Sequence, residues 1–408
     1  MKLQPVKTLE YNVFKNIRML KNKTINPVKK ICRFVSFCVS SFFIKNSFGN
    51  LYGSKSILSI DDYLIKMKIK YNIIFKAGKY KNIKYDKIYA TELNNIFILA
   101  KSNILYDNDK MLVNKNYDKK AHKLSELSGD FCFLKQRKQM FSVNNVFKIK
   151  YLESAASCCH PVSHNYAHFL LEVLPKAFLY DKIIPQTVPL VFDLPPHQSM
   201  KDAINFFISK KRNRIYIKKD FGFYVKKLCF ISDISYFPWH YSIGNKITIK
   251  FNPFPFIQMR AQFQKKKKNF SKKIFLIRTA AMRKLVNQSE IASKLCKLKY
   301  FSHSIGRLKF LEQVYLIRHA KTLIGTAGSD LANCIFAPIG TNVIILSSNE
   351  PYRIPYFWKK LFSPLGLNVY QLTGECVGSS GFMDDGRLIH RDFKISQKRL
   401  IKLLASVS

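Results

Sequence analysis

The chain has 408 residues, 47% of them hydrophobic, with 34 Phe and 21 Tyr. That is enough apolar bulk for packed cores and excludes a disordered chain, and the length exceeds one ordinary core, so about two domains are expected. The net charge of +44 has three open readings: attraction to nucleic acid, attraction to an anionic membrane face, or a compositional bias that enriches Lys, Asn, Ile, Phe and Tyr together.

Residues 1–150 place Lys/Asn-rich connectors between short β-leaning runs such as Ile96-Phe97-Ile98-Leu99, and are expected to complete one half of the molecule. The most apolar early stretch, Ile31 to Ile44, contains Arg33 and three serines. It is shorter than the roughly 20 residues of a spanning helix. Residues 1–30 are too rich in Lys and Asn for a signal peptide. The nine cysteines are scattered, with no CxxC pair, which fits reduced thiols. These features predict a cytoplasmic protein whose contact with an anionic membrane is peripheral.

From Tyr151 the pattern changes, and 151–250 reads as an α/β region punctuated by Pro185, Pro189, Pro195, Pro196 and Pro238. Its helix around residues 164–178 places Leu170, Val173, Leu174, Ala177 and Phe178 on one face. His164, Asn165, His168, Glu172 and Lys176 gather opposite, with Pro175 expected to kink or loosen the later turns. Histidine suits proton transfer near neutral pH, and Glu172 can orient it or act itself. An ordinary solvated stripe is the alternative. His160, His164 and His168, preceded by Cys158 and Cys159, invite a metal reading, but Pro161 interrupts the spacing and no metal is expected.

A linker is predicted over 251–272, where Asn252-Pro253-Phe254-Pro255 and the run Lys265 to Lys268 read as a solvated connector or exposed helix. The basic run lacks interleaved aromatics, so no nucleic-acid partner is expected there. Beyond it the order is regular. A strand is predicted at 273–278, then a helix opened by a capping box of Asn287 and Glu290 and running to Leu298. Next come a strand at 300–305 and a helix at 308–320 with Leu308, Leu311, Val314 and Tyr315 at helical spacing. Strands at 322–325 and 342–346 flank a short helix at 329–336 that Pro338 stops. This alternation predicts an α/β fold with a Rossmann-like parallel sheet over 273–390 and a C-terminal helix in 391–408.

Two places in that region suit an anion. The turn Gly325-Thr326-Ala327-Gly328-Ser329-Asp330-Leu331-Ala332-Asn333 joins a strand's carboxyl end to a helix, where free amides and the helix dipole make a seat for a phosphate. The alternative is a turn that needs glycine for geometry alone. Arg278 ends the first strand at the same edge, placed either to pair with phosphate oxygens or to form a surface salt bridge.

Three segments, in this order, resemble glycosyltransferase family 61, the DUF563 group. His164-Asn165-Tyr166-Ala167-His168-Phe169-Leu170-Leu171-Glu172-Val173-Leu174-Pro175 is similar to the family's N-Y-x-H-W-L-L-E-x-L-P helix. Ile277-Arg278 with Leu285-Val286-Asn287 resembles its S-R … R-x-x-x-N-E stretch. Phe310-Leu311-Glu312-Gln313-Val314, running into Gly325 to Gly340, resembles its E-Q … G-x-H-G-A-G-L-x-N-x-x-F-x-P-x-G-T block. The chain departs at Ala327 (His in the family), Asp330 (Gly) and Ile277 (Ser).

The resemblance implies a two-domain GT-B-like fold and inverting, metal- and cofactor-independent transfer from a nucleotide sugar to a glycan acceptor in polysaccharide biosynthesis. It makes 151–250, completed by 1–150, the acceptor-side half, and assigns the base to His168 or Glu172 and acceptor binding to His164 and Asn165. Donor binding falls to Arg278, Glu312, Gly328, Ser329, Asp330 and Asn333. A non-catalytic relative that binds a glycan or nucleotide, or a basic nucleic-acid-binding protein, is the alternative.

Overall fold

The computed structural model describes residues 56–107, 110–113, 132–135, 140–143, 148–219, 221–237, 250–263, 272–280, 282–349, 354–378, 382–384, 387–389 and 391–407. The stretch Ile31 to Ile44, Pro238 and the run Lys265 to Lys268 lie outside them.

The first half builds one mixed sheet of nine strands. Its first strands are β1 (Ser56–Ser59), followed by helix α1 (Ile60–Lys66), and β2 (Asn72–Phe75). The long β3 (Ile88–Leu99), β4 (Leu105–Asp107) and β5 (Lys110–Val113) follow. β6 (Lys148–Ser157) leads through a long helix to β7 (Leu190–Asp193), then through helix α2 (Gln198–Phe207) to β8 (Arg214–Ile217) and β9 (Phe221–Ile231). The spatial order is β1-β5-β4-β3-β9-β6-β7-β8, with β2 on the flank of β3. The segment β9-β6-β7-β8 is parallel, and β3 runs antiparallel to β9. The run Ile96 to Leu99 is thus the end of a twelve-residue strand. Strands from 56–113 and from 148–231 belong to one sheet.

The second half is a six-stranded sheet. Its strands are β10 (Lys272–Leu276), β11 (Tyr300–His303), β12 (Ala320–Thr326), β13 (Asn342–Ser348), β14 (Asn368–Val377) and β15 (Asp392–Lys394). The order is β11-β10-β12-β13-β14-β15, parallel except for the last pair. This is the Rossmann-like parallel sheet that the alternation predicts. The chain leaves β10 towards β11 and then returns past it to β12, so strand order reverses at the carboxyl ends of β10 and β12. In open α/β sheets that reversal opens the ligand crevice.

Three local expectations are corrected. The segment read as a solvated connector or exposed helix does contain a helix, α3 (Phe254–Ala261), but its Phe256 and Met259 are buried. Pro255 stands in its first turn, where a missing N–H costs nothing. Its buried Arg260 donates to the carbonyls of Ala337 (3.0 Å) and Leu365 (2.9 Å), clamping the helix to the second half. The capping box does not form on helix α4 (Gln288–Lys297). Asn287 instead turns inward, donating to Ile395 O (2.9 Å) and accepting from Ile395 N (3.2 Å), while Glu290 accepts from Gln397. In helix α5 (Phe310–Arg318) the buried face is Phe310, Gln313, Val314 and Ile317, and Leu311 and Tyr315 are half exposed.

One apolar cluster runs through both halves, from Ile88 and Ala156 to Phe336 and Leu367. Phe206 and Phe207 of α2 meet Phe263, Phe310 and Phe336, with Phe206 and Phe263 stacked at 4.7 Å.

Candidate functional site

The helix after β6 determines the site. Tyr166–His168 is α-helical, Phe169–Val173 is a π-turn, and Leu174–Ile183 is α-helical again. The cause is Pro175, which has no N–H and whose ring crowds the carbonyl four residues earlier. That carbonyl, Leu171 O, is compensated from outside by the Ser235 hydroxyl. The expected loosening therefore takes a defined form. The helix starts at Tyr166 with Asn165 as its cap, Asn165 Oδ1 accepting from Ala167 N at 2.9 Å. His164 consequently lies ahead of the helix and exposed, away from the face where it was expected.

His168 and Glu172 form a pair, Nδ1 to Oε2 at 2.5 Å. Glu172 is buried, so the solvated-stripe alternative does not hold for it. Its Oε2 also faces His160 Nε2 at 3.6 Å, and its Oε1 accepts from Phe237 N at 3.0 Å. Burial alone would push this carboxyl up, but His160 and His168 together hold it down at about 2. His160 is fixed through its own backbone, its N–H donating to Asp193 Oδ2 at the end of β7 (2.8 Å). Among the described residues no group of three or more His, Cys, Asp or Glu is arranged to hold a metal ion.

Across the cleft, Arg278 continues from β10. Gln288 clamps its backbone twice, accepting from Arg278 N (2.8 Å) and donating to Arg278 O (3.2 Å). Arg278 Nε donates to Met282 O (3.0 Å), and a Cβ added to Gly328 would stand 2.1 Å from its Nη1. Gly328 has an extended backbone, φ 179°, so what favours glycine there is the close approach of the guanidinium and not the dihedral angle. Burial and the neighbouring Arg283 bring Arg278 down to about 10, so it remains cationic at neutral pH. Burial pushes the Asp330 carboxyl up, and Arg278 opposes this.

The turn then enters a 3₁₀-helix, Ser329–Phe336. Its first intrahelical donor is Leu331 N, bonded to Gly328 O (3.1 Å), so the amides of Gly328, Ser329 and Asp330 precede it. Ser329 Oγ donates to Asn165 Oδ1 (3.2 Å), and Tyr166 Oη lies 2.7 Å from Gln313 Oε1 and 3.1 Å from Asn333 Oδ1. Asn333 is fully buried and donates to Asp330 O (3.2 Å). These contacts tie the capped start of the site helix to the glycine turn of the second half.

A cleft of about 500 Å³ lies between, lined by Asn165, Ala167, His168, Leu171, Phe237, Arg283, Gly328, Ser329, Phe357 and Trp358. The structure thus gathers His168, Asn165, Gly328 and Ser329 on the cleft, with Glu172 behind His168 and Arg278 against Gly328. Glu312 is exposed and accepts from Lys309 N (2.8 Å), so it caps its own helix. Asn333 acts through Tyr166 and Asp330 O. Sequence reasoning missed Arg283, Gln313, the tie through Tyr166, and His160 as a partner of Glu172. Three of these had a readable signal: Arg283 stands four residues before Asn287, at the first position of the R-x-x-x-N spacing, Gln313 is the glutamine of the E-Q pair, and Tyr166 is the tyrosine of N-Y-x-H.

These features define an α/β protein of the doubly wound type, with its cleft at the topological switch point of the second sheet. Residues 166–344 match the family model described as Glycosyltransferase 61. Over that segment the chain is similar to glycosyltransferase family 61. No curated protein matches the chain.

Proposed function

We propose that the cleft transfers a glycosyl group, with inversion, from a nucleotide-sugar donor to a hydroxyl of a glycan acceptor in polysaccharide biosynthesis. The carrying observation is that His168, paired with Glu172 behind it (2.5 Å), lines one cleft together with Arg283 and Gly328 of the second half. In this reading the second sheet holds the donor and the first sheet supplies the base, a GT-B-like division. Glu172 has both oxygens engaged, so it orients His168 through Nδ1 and leaves Nε2 as the base. His168 Nε2 takes the acceptor proton while the acceptor oxygen bonds to the anomeric carbon. The bond from that carbon to the diphosphate oxygen breaks, and the leaving charge rests against Arg278, Arg283 and the amides of residues 328–330. Two guanidinium groups at this edge supply the positive charge that a metal ion would otherwise provide. The described cysteines, all thiols, are in keeping with a cytoplasmic setting.

The test is a panel of nucleotide sugars offered to the purified protein. One nucleotide class is expected to raise the melting temperature, an effect lost in Arg278→Ala. His168→Ala is expected to keep that binding and lower turnover by about 10²–10⁴-fold. Near-normal turnover in His168→Ala would remove it as the base. A second reading, a non-catalytic relative, is favoured by Ala327 and Asp330, which replace the family's His and Gly at the turn. Nucleotide binding without turnover of any donor would select it.

A further inference from the structure

We propose that the segment 65–81, at the end of α1 and along β2, is a docking surface for an anionic lipid membrane. Between Tyr63 and Tyr85 the chain has seven lysines and no Asp or Glu. Apolar side chains stand exposed among them: Ile65 (74%), Met67 (47%), Tyr71 (39%) and Ile73 (54%). The backbone forces this arrangement. Helix α1 closes in a reversal, with Ile69 N donating to Leu64 O (2.9 Å) and Lys68 N to Ile65 O (3.1 Å) about a left-handed Lys68 (φ 53°). The reversal leaves Ile65, Lys66, Met67 and Lys68 exposed before the chain enters β2 on the flank of β3. The nearby carboxylates are engaged elsewhere: Asp62 with Ser59 at the start of α1, and Asp61 with the Tyr89 hydroxyl.

Charge complementarity selects the occupant. Lysines interleaved with exposed aliphatic side chains match a surface where headgroups are anionic and the acyl boundary takes up apolar groups. A single-stranded nucleic acid would be held in addition by stacking on exposed π-faces. Here Tyr71 is the exposed ring, and Lys87 Nζ already covers it at 4.4 Å. The proposal is independent of the donor chemistry, because none of these residues lines the cleft.

The experiment is co-sedimentation of the full chain with vesicles at physiological salt. One set is phosphatidylcholine alone and the other contains phosphatidylserine. Binding to the phosphatidylserine vesicles is expected to be at least about tenfold tighter. The triple variant Lys66→Gln, Lys68→Gln, Lys70→Gln and the double variant Ile65→Ser, Ile73→Ser should each lose most of that difference, with melting temperature and nucleotide-induced shift unchanged. Wild-type binding by the triple variant would overturn the proposal, placing the attraction in the chain's general charge. Wild-type binding by the double variant would likewise show that no apolar insertion occurs. Equal affinity for random RNA, lost in the same triple variant, would reassign the surface to nucleic acid.

Discussion

Glu172 binds three groups with two oxygens: His168, His160 and the Phe237 amide. Its pKa, about 2 in the folded protein, lies below the roughly 4.3 of an unfolded glutamate. The unfolded chain therefore binds the proton more readily, and the stability this carboxylate adds is complete above about pH 4.3. It is lost as the pH falls towards 2. The stability gap between wild type and Glu172→Gln should accordingly narrow on acidification, as denaturant unfolding at pH 7, 5 and 3 would measure. A constant gap would mean that charge is not what Glu172 contributes. At this scale the sequence was readable where partners are close along the chain, as with His168 and Glu172 four residues apart. Partners brought together across the fold left no local pattern: Tyr166 meets Gln313 over 147 residues, and Ser329 meets Asn165 over 164.

The site helix shows how a backbone defect is accommodated. Pro175 displaces the hydrogen-bonding pattern, and the Ser235 hydroxyl satisfies the Leu171 carbonyl from another element. Ser235→Ala should leave that carbonyl unpaired in a buried place and cost about 1–3 kcal/mol, measured by denaturant unfolding. Loss of stability with turnover reduced as well would show that the π-turn also positions Glu172. An effect below about 0.5 kcal/mol would mean that the helix relaxes to another pattern. Proline made the irregularity foreseeable, but its compensating donor was not. Elements of the second sheet were legible because alternating apolar runs have few alternative readings. The phase of α5 was misread because Gln313, a polar residue, occupies an interior position on behalf of Tyr166. Asn287 misled similarly, since its side chain holds Ile395 across the fold and not its own helix.

On the scale of the molecule, the Rossmann-like sheet followed from alternation, while the nine-stranded sheet did not, because it recruits strands from distant parts of the chain. Length suggested two cores, yet the largest apolar cluster crosses from one sheet to the other, with phenyl rings of α2 against those of α5 and the 3₁₀-helix. Neither half can close this cluster with its own residues, so the two are expected to behave as complementary fragments. A chain divided between Gln264 and Asn269 and expressed as two pieces should yield an associated, nucleotide-responsive pair. Each piece made alone should be insoluble or molten, as solubility and cooperative melting would reveal. Two pieces that melt cooperatively in isolation would mean instead that each half is self-sufficient. If they are complementary, the cleft assembles only when both fragments meet, and reconstitution becomes an on-switch for whatever chemistry the cleft performs.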